Sequence, residues 1–198
     1  GLDQPLVIAG GPCAFNPEPV ADFFDLVVLG EGEEVTLELL DLVAAIKCEG
    51  RDKAELLRRA SRLAGVYAPS LYQPLYAEDG RFVGLRPQPG APQQIKKRII
   101  ADLDEAPFPE RPLLPAIKPV HDRIMLELMR GCTHGCRFCQ AGMIYRPLRE
   151  KSASTLTRQA AGQVAGSGYD EIALLSLSSA DYGDIIPLME DLLAAHSG

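Results

Sequence analysis

Two short apolar runs, each stopped by glycines, open the chain. Residues 5–10 read Pro-Leu-Val-Ile-Ala-Gly and stop at Gly10-Gly11-Pro12; residues 23–29 read Phe-Phe-Asp-Leu-Val-Val-Leu and stop at Gly30-Glu31-Gly32. Short apolar runs of this kind predict buried parallel strands, with ligand-facing turns at their C-terminal ends. Between them, Asn16-Pro17-Glu18-Pro19 predicts the start of a short helix. Val35, Leu39, Leu42, Val43 and Ile46 recur at helical spacing over 33–47. Leu56, Leu57, Ala60 and Leu63 do the same over 52–64, where Gly65 supplies a stop. The result is a βαβα, doubly wound pattern with too few strands for a whole domain, so the rest of its sheet is expected before residue 1.

The pattern changes near residue 66. Prolines recur from Tyr67 to Pro119 and helical periodicity fades, except that Glu78-Asp79-Gly80 predicts a small hairpin turn. Residues 67–124 therefore read as an interdomain connection that packs on its neighbours without a core of its own. A third strand is predicted at Ile124 to Met129. Ser154 is expected to cap a helix through Leu156, Ala160 and Val164, ending near Gly166-Ser-Gly168. A fourth strand is predicted over 171–178, and a last helix, capped by Asp184, through Ile185, Leu188, Met189, Leu192 and Leu193. The expected organisation is 1–66, the connection 67–124, and a second α/β region 125–198. Residue 1 is Gly, with no signal-peptide pattern, so the chain is expected to be a piece of a longer protein.

Composition narrows the class only a little. Apolar residues make up 46% and charged residues 24%, which excludes wholesale disorder, collagen and coiled coil. No apolar run is long enough to cross a bilayer. The net charge of −7 argues against a dedicated nucleic-acid coat protein. Charge is uneven, however. Residues 121–151 hold six Arg and Lys against three Asp and Glu, a local net of +3. Such a basic rim suits an anionic group; it is also compatible with RNA, and is common on a solvated face.

The cysteines carry more. There are five, Cys13, Cys48, Cys132, Cys136 and Cys139, an odd number with three inside eight residues. A secreted disulfide scaffold would be denser and usually even, so the trio reads as a metal or redox site in a reducing, cytoplasmic compartment. Three thiolates spaced CxxxCxxC on a glycine-containing loop after a strand can hold three irons of a [4Fe–4S] cube. The fourth iron then has no local protein ligand, and an open metal position is where substrate chemistry occurs. Zinc is the rival reading, since His134 lies inside the loop and would complete Cys₃His. Structural zinc sites usually pair two ligand clusters, and there is no second cluster. Cys13 reads as a small turn residue and Cys48 as a helix-end residue.

With Phe138 just before its last cysteine, the motif resembles the signature of the radical SAM superfamily. That resemblance implies that Cys132, Cys136 and Cys139 hold a [4Fe–4S] cluster and that S-adenosylmethionine (SAM) chelates the open iron. Cleavage driven by a one-electron reductant such as flavodoxin or ferredoxin would give methionine and a 5′-deoxyadenosyl radical. It also implies a partial (β/α)₆ TIM-like barrel with the cluster after its first strand, and Phe138 beside the adenine. The family's small-residue motif after the second strand falls at Ser176-Leu-Ser178-Ser179-Ala-Asp181. Ser178 and Ser179 are then SAM-contacting candidates; their other reading is ordinary strand-end polarity. No catalytic residue is expected beyond the cluster site.

The order Ala9-Gly10-Gly11-Pro12, Gly30-Glu31-Gly32-Glu33, Asp102-Leu-Asp-Glu-Ala-Pro-Phe-Pro109 and Arg130-Gly-Cys132 further resembles radical SAM enzymes with an N-terminal cobalamin-binding-type, Rossmann-like domain. The run from Met129 to Arg146, with Leu175-Ser-Leu-Ser-Ser179, closely resembles an uncharacterised bacterial family within that class. The class resemblance implies a cobalamin nucleotide tail against Gly10, Gly11, Gly30 and Gly32; tight turns without a ligand are the other reading. The substrate is open, with methylation or another modification of a macromolecule or metabolite all in range. A non-catalytic, metal-stapled binding or regulatory module is the alternative from a different class.

Overall fold

The structure, a computed structural model, describes residues 4–196. It is a mixed α/β chain that divides into two compact units, Gly1–Ile100 and Ala101–Gly198. The division falls inside the proline-rich stretch. Among the described residues, no helix is long and apolar enough to cross a membrane.

In the first unit, β1 (Ile8–Ala9) pairs parallel with β2 (Leu26–Val28). The third strand, β3 (Val66–Tyr67), joins β2 antiparallel. This departs from the all-parallel expectation. Two residues carry no periodicity, so β3 left no signature in the apolar pattern. Helices α1 (Glu33–Cys48) and α2 (Lys53–Ala60) lie where the spacing put them. The side chain of Asp52 accepts from the Glu55 amide and caps α2 at 2.9 Å. The helix expected from Asn16 is instead two 3₁₀ segments, Pro12–Phe15 and Glu18–Phe23.

Alternation along the strands divides this unit's core in two. Leu26, Val28 and Val66 pack with Val35 and Leu39 of α1 and Leu57 and Ala60 of α2. Val27 and Tyr67 point the other way and pack with Ala14, Tyr72 and Leu85. The last two belong to the hairpin of β4 (Tyr72–Tyr76) and β5 (Phe82–Pro87), which forms around residues 78–80 as the sequence predicts. Residues 96–100 then return to β2. Arg98 bridges Gly30, donating its amide to the Leu29 carbonyl at 2.7 Å and accepting from the Glu31 amide at 3.1 Å. Its guanidinium bonds to both Glu34 and Glu38 of α1, Nη2 lying 2.7 Å from Glu38 Oε1.

In the second unit, β6 (Ile124–Glu127) runs parallel to β9 (Ile172–Leu175), in register from Ile124 opposite Ile172 to Glu127 opposite Leu175. The strand expected to continue to Met129 breaks at Leu128. Beyond it, β7 (Met129–Arg130) pairs antiparallel with β8 (Arg149–Glu150). A one-turn helix α3 (Ala141–Ile144) lies between these two, and α4 (Ala153–Ser167) and α5 (Ile185–His196) follow β8 and β9. Ser152, rather than Ser154, caps α4, accepting from the Thr155 amide at 3.2 Å. Leu126, Leu128, Leu156, Ala160, Tyr182, Leu188 and Leu192 form one core cluster.

Two polar ties serve that core. The Tyr182 hydroxyl donates to the Lys151 carbonyl at 2.9 Å, and burial pushes the Tyr182 phenol up to about 12. Asp104 accepts from the Ser152 amide at 2.8 Å. Burial works to raise the Asp104 carboxyl, but its bonds from Ser152 and Thr155 and the charge of Lys151 outweigh that and lower it.

Gly30 is where packing requires glycine. Its φ is +113°, and a Cβ there would meet the Arg98 carbonyl oxygen at 2.1 Å and the Arg98 nitrogen at 2.7 Å. Gly11 shares the positive φ, at +90°, but faces open space. Gly30→Ala is therefore expected to cost more than Gly11→Ala in urea unfolding. Each pays about 1–3 kcal/mol of backbone strain, and only the first adds a steric clash. Equal losses would contradict the Arg98 packing role.

Candidate functional site

Because β6 and β9 are parallel, the loops leaving their C-terminal ends emerge on the same edge. One carries the cysteines, the other the serines. Gly131, at φ +99°, lets the cysteine loop leave β7 hard against residues 147–148, where a Cβ would stand 2.8 Å from the Pro147 carbonyl oxygen. Gly135, at φ +61°, turns the chain between Cys132 and Cys136. The Cys139 amide then donates to the Cys136 carbonyl at 3.1 Å, placing these two cysteines on one turn ahead of α3.

All five cysteines are free thiols. Cys136 is exposed, and Cys132 and Cys139 are half-buried. Cys13 and Cys48 are exposed in the first unit. The loop does not gather its thiols: among the described residues, no three His, Cys, Asp or Glu side chains are grouped closely enough to hold a metal ion. The donor set nevertheless fits an iron–sulfur cluster in kind, with three unpaired thiols on one accessible loop. Phe138 is 92% exposed, so its ring has no packing role within the described chain. Behind the loop, Arg130 makes a bidentate pair with Glu127, both contacts 2.9 Å.

The serine loop is ordered by its own hydroxyls. Ser176 Oγ and Ser179 Oγ lie 2.9 Å apart, and the Ser178 amide donates to Ser176 Oγ at 3.2 Å. Ser178 Oγ donates to Asp181 Oδ2 at 2.6 Å. His134, from the cysteine loop, reaches the same carboxylate oxygen at 2.5 Å and lies 3.4 Å from Ser178 Oγ. An ionised carboxylate only accepts, so His134 Nε2 carries the proton in this contact. The Ser178 hydroxyl foremost, then His134, holds the Asp181 carboxyl below the ordinary carboxylate range. The structure thus brings Ser178 beside the cysteine loop through a pairing of His134 with Asp181 that sequence reasoning did not make. His134 reads as a loop residue and Asp181 as the end of a serine run; they are 47 positions apart, and no spacing rule connects them.

The glycines fall in the first unit. Gly10 and Gly11 follow β1, and Gly30 follows β2, at the C-terminal ends of adjacent parallel strands. Gly32 is the N-terminal cap residue of α1, with φ −93°, so it has no special backbone need. The space before Gly30 is filled by the chain's own Arg98 backbone. That contact accounts for the glycine without a cofactor.

Comparison with known proteins adds one observation. Residues 1–69 match the family described as radical SAM proteins, N-terminal. This supports a radical SAM-type N-terminal region, and the match stops short of the cysteine motif. The chain is also 28% identical, over 192 residues, to an uncharacterized protein of Methanocaldococcus jannaschii. The alignment covers 92% of this chain and 34% of that protein, so the chain spans about a third of its relative's length. No solved structure matches.

Exposure gives a direct check on the cysteine geometry. Brief alkylation of the metal-free protein, followed by peptide mass spectrometry, is expected to modify Cys13, Cys48 and Cys136 before Cys132 and Cys139. Uniform modification of all five would contradict the half-buried placement of the flanking pair.

Proposed function

We propose that the second unit carries the front part of a radical SAM site, in which Cys132, Cys136 and Cys139 bind a [4Fe–4S] cluster and leave one iron for SAM. The observation that carries this reading is the arrangement of loops. Three free thiols at CxxxCxxC spacing and a serine-rich turn leave neighbouring parallel strands on the same edge. The radical SAM match of residues 1–69 supports it from the other end of the chain.

The chain's own residues have defined tasks in this reading. The three thiolates hold three irons, and Gly135, which meets no neighbour, gives the loop the backbone freedom to bring them together. Ser178 donates its hydroxyl hydrogen bond to Asp181, so its oxygen is turned to accept from an ammonium group such as that of SAM. Ser179 sits one residue on, within the same hydroxyl network. Phe138, exposed beside Cys139, is available to cover an adenine ring. Arg137 and the neighbouring basic residues offset the charge of an anionic site. When reduced by one electron, the bound cluster supplies reductive cleavage of SAM to methionine and a 5′-deoxyadenosyl radical. The reductant is of the flavodoxin or ferredoxin type.

Of the glycines that the cobalamin resemblance implicates, Gly30 is taken by the chain itself, since Arg98 fills the approach to it, and no nucleotide tail is assigned there in this reading.

Anaerobic reconstitution of the complete protein with iron and sulfide tests the proposal. It is expected to give the thiolate-to-iron charge-transfer absorbance of a [4Fe–4S] cluster. Cys132→Ala, Cys136→Ala and Cys139→Ala should each abolish that absorbance, while Cys13→Ala and Cys48→Ala leave it intact. Reduction with dithionite in the presence of SAM should then release 5′-deoxyadenosine. Zinc in place of iron would instead favour a Cys₃His site through His134. An intact cluster that releases no deoxyadenosine would favour a metal-stapled module without catalysis.

A further inference from the structure

The cysteine loop is held by very little. Residues 133–138 are all exposed, and positive-φ glycines at 131 and 135 flank His134. Glycine adds backbone entropy that must be lost whenever the loop is fixed. Among the described residues 132–140, His134 is the one whose side chain makes a hydrogen bond, and that bond goes to Asp181.

Asp181, by contrast, is fixed before His134 reaches it. Its amide donates to the Ser178 carbonyl at 3.0 Å, closing a 3₁₀ turn over Ser179–Asp181. Its carboxylate takes the Ser178 hydroxyl at 2.6 Å, and Ser176 and Ser179 brace the same turn. The turn is rooted in β9, whose Leu175 carbonyl accepts the Leu128 amide at 2.9 Å. One end of the contact is therefore rigid and the other is a flexible loop.

We propose that His134 and Asp181 form a latch that holds the cysteine loop against the end of β9. The two act as positioning residues for the cysteines. The inference rests on the cluster-binding reading of the loop, and it deepens that reading by assigning what orders the loop before the cluster arrives. His134 lies two residues after Cys132 and two before Cys136, so fixing its imidazole restricts both neighbouring thiols at once. A loop already tethered loses less conformational entropy when three thiolates converge on one cube. A charge-assisted contact to an ionised carboxylate is the strong form of hydrogen bond for such a tether. The Ser178 hydroxyl shares the carboxylate, so the latch also sets the rotamer of the side chain nearest the proposed SAM position.

The test uses the complete protein in its metal-free form, so that it reads the loop and not the activity. Hydrogen exchange of the Cys139 amide, which the loop protects through its 3.1 Å bond to the Cys136 carbonyl, is measured in wild type, His134→Ala, Asp181→Ala and the double variant. Each single variant should exchange faster at that amide by roughly tenfold or more, as expected for loss of a charge-assisted hydrogen bond. The double variant should be no faster than the singles, because both remove one contact. Asp181→Asn, which keeps an acceptor oxygen, should restore part of the protection. A second readout follows reconstitution: iron loss to a chelator should be faster in the alanine variants than in wild type. Unchanged exchange in His134→Ala and Asp181→Ala would overturn the latch, as would additive effects in the double variant. Acceleration spread equally over β6 and α4 would also overturn it, since that is loss of fold. Failure of wild type to form any cluster would sink the functional reading and not the latch, whose exchange result stands on metal-free protein.

Discussion

The parallel pairing of β6 with β9 is the constraint on which the candidate site depends. Parallel strands send their C-terminal loops out on one edge, whereas an antiparallel pair would send them to opposite edges. Leu126 and Leu128 are fully buried against Leu156 and Ala160 of α4 and Leu188 of α5, so the pair cannot slip register without exposing its apolar face. That core fixes where residue 131 leaves and where residue 176 begins. The contact between His134 and Asp181 is possible only because the two loops start from the same edge.

Much of this arrangement was legible in the sequence, for reasons particular to each element. Helix α1 has three full turns of apolar periodicity, and its observed end lies one residue past the expected one. The strands β6 and β9 are apolar runs bounded by polar and glycine residues, and their parallel pairing follows from the helix between them. The hairpin at 78–80 announces itself by turn chemistry, with the Arg81 amide bonded to Asp79 Oδ1 at 3.0 Å. What escaped was short or non-local. β3, β7 and β8 are two residues each, and their pairing is decided by tertiary contacts rather than by pattern. The helix expected near Asn16 is two short 3₁₀ segments instead. The cysteine spacing identified the candidate ligands, but nothing in spacing could join His134 to Asp181.

Glycines illustrate how one residue type answers two different needs. Gly10-Gly11 and Gly30 stand at the ends of adjacent parallel strands, where a ligand-binding loop is expected in α/β sheets. At Gly30 the visitor is the chain itself. Arg98 lays its backbone where a Cβ would be and anchors there through Glu34 and Glu38 on α1. In the second unit, Gly131 makes room for residues 147–148 in the same manner, while Gly135 meets nothing and serves only to turn the loop. A sequence shows that glycine is needed; only the fold shows for what.

The central claim is that the three cysteines leave one iron of a cluster open to SAM. Electron paramagnetic resonance of the reconstituted, one-electron-reduced complete protein tests this most directly, recorded with and without SAM labelled with nitrogen-15 at its amino group. The account predicts a [4Fe–4S]⁺ signal that changes on adding SAM and acquires a hyperfine coupling from the labelled nitrogen. A cluster signal that is identical with and without SAM would contradict it.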